Sequence, residues 1–138
     1  MLLSQSCIYG IRAVMHLAEC YQSDDDRYIS TKEIGNDIDV SFYFLSKILK
    51  RLAEADVVKT FRGPKGGIKL NRPPEDIKLI EVIEAIEGKG VLGDSLLDQA
   101  DCKEFELCEL HKRWNQSKDF IRKNLWQANI QDLMKKSN

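Results

Sequence analysis

The stretch STKEIGNDIDVSFYFLSKILKRLAE, residues 30–54, decides the fold. It opens on Ser30-Thr31-Lys32-Glu33, the spacing of a capping box, in which the Ser30 hydroxyl accepts from the Glu33 amide and the Glu33 side chain reaches back. A helix therefore starts near Thr31 and carries Ile34 and Ile38. Asp37 to Val40 reads as a turn, and Ser41 is the next N-cap. Leu45, Ile48, Leu49 and Leu52 then fall at i, i+3, i+4 and i+7, which predicts a helix over 41–54 with one apolar face. Gly35 allows the two helices to approach closely. Two short helices joined by a tight turn, the second one basic, form a helix-turn-helix pattern.

Downstream, Val57-Val58-Lys59-Thr60-Phe61 is rich in β-branched residues and predicts a strand. Arg62-Gly63-Pro64-Lys65-Gly66-Gly67 is a turn, and Ile68-Lys69-Leu70 is the returning strand. A β-hairpin directly after the recognition-helix candidate is a wing. Arg72-Pro73-Pro74 ends it. Pro74, Glu75 and Asp76 suit the mouth of a further helix that runs through Ile77, Ile80, Val82, Ile83 and Ile86 to a C-cap at Gly88. Residues 88–104 show no period and predict a long loop. A long helix follows over about 105–126, with Leu110, Trp114, Ile121, Leu125 and Ala128 along one side, and residues 129–133 suggest a short terminal helix. Upstream, residues 3–21 predict a helix with Ile8, Ile11, Val14, Met15, Leu17 and Ala18 as a broad apolar stripe, ended by the polar turn Asp24-Asp25-Asp26. The fold class is mainly α with a small β-hairpin wing: a winged helix-turn-helix plus a long dimerisation helix. Residues 1–78 are the DNA-binding part, and 79–138 supply a sensing loop and the dimerisation helix.

The chain has 138 residues, 43% hydrophobic and 31% charged, with 3 Pro and 8 Gly. Such a composition builds a core and excludes disordered, collagen-like and low-complexity classes. No apolar run is long enough to cross a membrane, and the N-terminus lacks the charged and apolar regions of a signal peptide, so a cytoplasmic protein is expected. Four Cys are too few for a disulfide scaffold. The net charge of −1 conceals a strong asymmetry. Residues 41–72 hold eight basic and two acidic groups, whereas residues 73–111 hold three basic and eleven acidic ones. A compact basic segment in a neutral chain is a local electrostatic footprint for nucleic acid, although a solvated surface has the same composition. No P-loop, HExxH or nucleophile–base arrangement is present, so no enzyme is expected.

The candidate DNA contacts follow from the face left over. With Leu45, Ile48, Leu49 and Leu52 turned inward and Phe44 serving the core, the residues Phe42, Tyr43, Ser46, Lys47 and Lys50 lie outward. Free amides at Ser41 suit a phosphate. Ser41, Phe42 and Tyr43 are placed for base edges and thymine methyls, with core packing as the alternative for the two aromatics. Lys47 suits a guanine or a phosphate, and Lys50 and Arg51 suit the DNA backbone. In the hairpin, Gly63, Gly66 and Gly67 permit positive φ, Pro64 stiffens the tip, and Arg62 and Lys65 extend from it. A thin basic tip fits a minor groove or flanking phosphates.

Four segments together resemble a known family: Tyr9-Gly10-Ile11-Arg12-Ala13, the span from Ser30 to Leu52, Arg62-Gly63-Pro64-Lys65-Gly66-Gly67, and Ile83-Glu84-Ala85-Ile86-Glu87-Gly88. They resemble the bacterial winged-helix regulators of the IscR/NsrR/CymR type (the Rrf-two family), and the likeness covers essentially the whole chain. It implies a dimeric DNA-binding transcription regulator; on this reading the chain is a homodimer that acts on double-stranded DNA at a pseudo-palindromic operator, with repression the expected sign and activation the alternative. Several members of that family sense iron–sulfur status, nitric oxide or redox state through a 2Fe–2S cluster, and others carry none.

Cys102 and Cys108 have C-x5-C spacing, with His111 three residues on. The resemblance implies three Cys in this loop, the last of them before a Leu-His pair and a Trp, as in Cys108-Glu109-Leu110-His111-Lys112-Arg113-Trp114. Cys102 matches the middle position. At the first, Gly90 or Val91 precedes Leu92-Gly93 where the family often has Cys. Two readings stand side by side. In one, a 2Fe–2S cluster is held by Cys102 and Cys108 with Cys7 and His111 as further candidates, Cys7 because family dimers can draw a ligand from the partner's first helix. In the other, there is no cofactor, and control passes to thiol oxidation or a protein partner. Zinc is poorly supported, as no close C-x2-C pair exists. Cys20 and, as its alternative, Cys7 read as small buried apolar residues. A winged helix used to bind a protein in place of DNA is the rival from another functional class.

Overall fold

The computed structural model describes residues 3–23, 27–90 and 108–134. Helix α1 spans Gln5–Gln22, its first turn closed by the Ser4 hydroxyl accepting from the Cys7 amide. It buries Cys7, Gly10, Ala13, Val14, Leu17 and Ala18. Ile8, in contrast, is 36% exposed, because it sits on the edge of the stripe and not at its centre. Helices α2 (Thr31–Ile38) and α3 (Phe42–Glu54) start at the two serines expected, Ser30 accepting from Glu33 and Ser41 from Phe44. Only half of the capping box at Ser30 forms as expected. The Glu33 carboxylate takes a two-pronged ion pair from Arg27, at 2.8 and 2.9 Å.

The α2–α3 turn depends on Gly35, through the turn's own backbone more than through helix–helix contact. A Cβ there would stand 2.6 Å from the Val40 carbonyl oxygen. That close approach lets the Val40 amide donate to the Gly35 carbonyl at 2.9 Å. Asp39 takes the left-handed conformation that ends α2. Arg12 of α1 donates to the Ile38 carbonyl at 2.9 Å and satisfies the end of α2 from outside.

Strands β1 (Val58–Phe61) and β2 (Gly67–Leu70) pair antiparallel, with Val58 opposite Leu70 and Phe61 opposite Gly67. A further bridge, unexpected from the sequence, joins Ile29 to Ile68, with both amides donating across at 3.0 and 2.8 Å. This ties the tip-side end of β2 to the entry of α2.

The next helix is shorter than its apolar pattern predicts. Pro74–Asp76 forms one 3₁₀ turn, Ile77 is extended, and α4 runs from Leu79 to Glu87. The interruption has a tertiary cause. The Ile77 carbonyl accepts from the Ile130 amide and the Leu79 amide donates to Ala128, so this stretch pairs with the C-terminal segment in place of continuing a helix. Helix α5 spans Cys108–Ile121, a π-helical turn follows over Arg122–Trp126, and α6 spans Ile130–Met134. The expected long helix thus ends in a π turn, which brings Trp126 into the core at 4% exposure, with Ile130 fully buried behind it. One core collects α1, α2, α3, α4, the base of the hairpin and these two C-terminal residues.

Candidate nucleic-acid interface

Helix α3 is two-faced. Leu45, Ile48, Leu49 and Leu52 are buried, and Ser41, Phe42, Tyr43, Lys47 and Lys50 are exposed. Phe42 and Tyr43 are 61% and 71% exposed, so core packing does not account for them. Phe44, read from the sequence as a core residue, is itself 38% exposed and packs edge-on against Tyr9, with ring centroids 5.6 Å apart. It belongs to the rim because the core face of the helix is already filled by the four aliphatics. Lys47 places its ammonium 4.4 Å from the Tyr43 ring centroid. That contact holds a cation beside an exposed aromatic on one outward surface. Ser46 turns its hydroxyl to the Phe42 carbonyl at 2.7 Å.

Arg51 has a contact within the chain that the sequence does not reveal. Its guanidinium donates to the Ile86 carbonyl at 3.0 Å, capping the last turn of α4. A cation at an orphan carbonyl at the C-terminal end of a helix is favoured by the helix dipole.

At the hairpin tip, Arg62, Gly63, Pro64 and Lys65 are exposed and Gly66 is half-buried. The Gly66 amide donates to the Gly63 carbonyl at 2.9 Å, closing a tight turn around Pro64. Gly63 uses positive φ, at 127°. Gly66 is required for space and not for φ: a Cβ there would lie 2.1 Å from the Phe61 carbonyl oxygen. Phe61 is 57% exposed and stacks at 5.4 Å on Tyr28, over whose ring Lys69 places its ammonium at 5.0 Å. The sequence reading missed this Tyr28, Phe61 and Lys69 group. The alternation within β1 and β2 signals which face each residue takes, but no local pattern brings Tyr28 there.

The cysteines separate by environment. Cys7 is fully buried within its own subunit, and burial, reinforced by the nearby Glu87 carboxylate, pushes its thiol up to about 11. Enclosure and a raised pKa make the Cys7 thiol unreactive in the absence of a metal. Cys20 is half-buried. Cys108 is exposed at the first residue of α5, and His111 stands one turn along the same helix. Cys102 lies outside the described residues, as do the Asp24-Asp25-Asp26 turn and Leu92-Gly93. Among the described residues, no three His, Cys, Asp or Glu side chains converge as a metal site, and no helix is long and apolar enough to cross a membrane.

Comparison with known proteins places this geometry. IscR of Cereibacter sphaeroides, an HTH-type transcriptional regulator, is 36% identical over 87 residues, covering 63% of this chain and 56% of its own. The structure of T. potens IscR superposes with a TM-score of 0.70 at 26% identity, over 96% of this chain and 85% of that one. CymR, the global cysteine regulator of B. subtilis, shares the fold with a TM-score of 0.76 at 24% identity, over 95% and 94% of the two chains. The Rrf2 family, described as iron-dependent transcriptional regulators, matches residues 3–136. The chain belongs to this Rrf2 family and is a DNA-binding transcriptional regulator, not an enzyme.

Proposed function

We propose that the chain acts in the cytoplasm as a homodimeric repressor that reads a pseudo-palindromic operator in double-stranded DNA. One observation carries the reading: α3 buries one face completely while the other presents Phe42, Tyr43, Lys47 and Lys50 to solvent. In a dimer, the two α3 helices enter successive major grooves, with Ser41 and the aromatic pair at base edges and the lysines on guanine or phosphate. The tip formed by Arg62, Gly63, Pro64, Lys65 and Gly66 follows the minor groove or its phosphates. Residues 1–78 carry DNA contact and residues 79–138 carry sensing and dimerisation. This is a division of roles, since α4 shares the core of α1 and α3. Dimerisation falls to α5 and the turn after it, where Leu110, Phe120 and Leu125 stay 41% or more exposed.

The sensor is the segment holding Cys102 and Cys108. An iron–sulfur centre there has Cys102 and Cys108 as donors, with His111 and Cys7 as further candidates. When bound, such a centre supplies a redox- and iron-dependent charge beside α5. The chain's own part is to present Cys108 and His111 on consecutive turns. Equilibrium binding to operator DNA should fall steeply with salt, and the paired change Arg62→Ala and Lys65→Ala should weaken it; unchanged binding sinks the wing assignment. Anaerobic purification with a visible spectrum and iron and sulfide assays tests the sensor. A colourless, iron-free protein after reconstitution leaves a cofactor-free regulator governed by thiol oxidation or a protein partner.

A further inference from the structure

The residues just before α2 tie the wing to the helix-turn-helix. Arg27 and Ser30 hold the first turn of α2. The Arg27 guanidinium reaches the Glu33 carboxylate at 2.8 and 2.9 Å, and the Ser30 hydroxyl accepts from the Glu33 amide. Tyr28 and Ile29 hold the hairpin. Ile29 exchanges two backbone hydrogen bonds with Ile68, at 3.0 and 2.8 Å. The backbones run so close that a Cβ at Gly67 would stand 2.4 Å from the Ile29 carbonyl oxygen. The Tyr28 ring stacks on Phe61, the last residue of β1, with centroids 5.4 Å apart and 30° between the ring planes. Phe61 directly precedes Arg62 at the tip and pairs with Gly67, the first residue of β2. Phe61 is 57% exposed, so core packing does not account for it.

A two-stranded hairpin is marginal by itself. The far end of this one is anchored in the core by Val58 and Leu70, both buried. At the tip-side end, the Ile29 bridge fixes β2, and the Tyr28 stack is the contact from the same segment that reaches across to β1. We propose that Tyr28 is a positioning residue for DNA binding: its ring holds the wing tip at one angle to α3, so that Arg62 and Lys65 meet the DNA already placed. The proposal rests on the reading of the tip as a DNA contact. In this role Tyr28 itself touches no DNA. Its contribution is the ordering cost that an unclamped tip would incur on binding.

The test is fluorescence anisotropy of the full chain, over a salt series, with a duplex that the parent chain selects from a random-sequence library. Tyr28→Ala should weaken binding about three- to ten-fold, the range for ordering a few side chains. It removes no charge, yet the salt slope should fall toward that of the Arg62→Ala and Lys65→Ala variant, because the tip loses its phosphates. Added to that variant, Tyr28→Ala should weaken binding by less than about two-fold more, a coupling that general destabilisation does not produce. Tyr28→Phe keeps the ring and should bind as the parent does. Phe61→Ala removes the stack from the other side and should reproduce Tyr28→Ala, which keeps the test open if Tyr28→Ala folds poorly. Equal losses in both backgrounds, or an unchanged salt slope, overturn the proposal. So does a loss in Tyr28→Phe, which assigns the hydroxyl to DNA. If the Arg62→Ala and Lys65→Ala variant binds as the parent does, the wing reading itself fails. If it binds weakly while Tyr28→Ala binds as the parent does, only the positioning role fails.

Discussion

The Arg51 guanidinium, on α3, reaches the carbonyl oxygen of Ile86 in the last turn of α4 at 3.0 Å. The two residues lie on different elements, and the bond couples the orientation of α3 to the point where the chain leaves toward Cys102 and Cys108. In Arg51→Ala the orphan carbonyl loses its charged donor, and the fold should lose about 1 kcal/mol. Denaturant unfolding measures it. The slope of operator affinity against salt should stay as in the parent, whereas a lost phosphate contact lowers that slope.

Phe42 and Tyr43 separate recognition from stability. Both are mostly exposed, so Phe42→Ala and Tyr43→Ala should move stability by no more than about 0.5 kcal/mol. Operator affinity should fall by about 1–3 kcal/mol at a contacted base step. Fluorescence anisotropy with operator and scrambled duplexes checks it, and the loss should be confined to the operator.

Gly66 and Gly63 should respond differently to alanine. At Gly66 the new Cβ meets the Phe61 backbone oxygen, an obstacle that cannot rotate away. At Gly63 there is open space, and only the positive φ is unfavourable. Gly63→Ala should cost about 1–2 kcal/mol, and Gly66→Ala more, with the hairpin pairing disturbed. Amide exchange at Lys59 and Lys69, a hydrogen-bonded pair of the ladder, distinguishes local loss of pairing from global unfolding.

Glu81 makes stability depend on acid pH. Burial raises its carboxyl, but the hydrogen bonds from Arg72 and the Lys78 amide outweigh this and hold it below the ordinary value of 4.5. A pKa lower in the folded state than in the unfolded one contributes stability that is present above about pH 4.5 and is lost as pH falls through the folded value. Glu81→Gln should therefore be less stable than the parent at neutral pH, with the difference shrinking toward pH 3. Urea midpoints across that range measure it.

Thiol reactivity should divide the cysteines. At pH 8 in the native state, Cys108 should alkylate with iodoacetamide and Cys7 should not, since its thiol is enclosed and raised to about 11. Peptide mass mapping after timed quenching reads this out. Rapid labelling of Cys7 would mean that the α1–α4 contact opens readily.

The helix-turn-helix and the hairpin were legible because their signals are local. A cap and the apolar residues after it lie within a turn or two of each other, so Ser30, Ser41 and the Leu45–Leu52 spacing determine α2 and α3 before any long-range contact forms. The outward position of Tyr43, Lys47 and Lys50 follows from that same period, and the turn at Gly63 and Gly66 from its glycines and Pro64. Other features required the folded chain. Ile77 belongs to an apolar helical pattern, yet the competing backbone partners at Ala128 and Ile130 break it. Arg51 reads as a surface cation until Ile86 is brought beneath it. Cys7 has the composition of a ligand candidate, and only the packing of α1 decides that it is enclosed. The Ile29–Ile68 bridge joins segments about forty residues apart, and no local pattern announces it. Local sequence determines periodicity and caps, which depend on neighbours a few residues apart. Which elements meet, and which charges then face one another, depends on distant segments competing for the same backbone bonds and the same core, and the tertiary structure alone decided it.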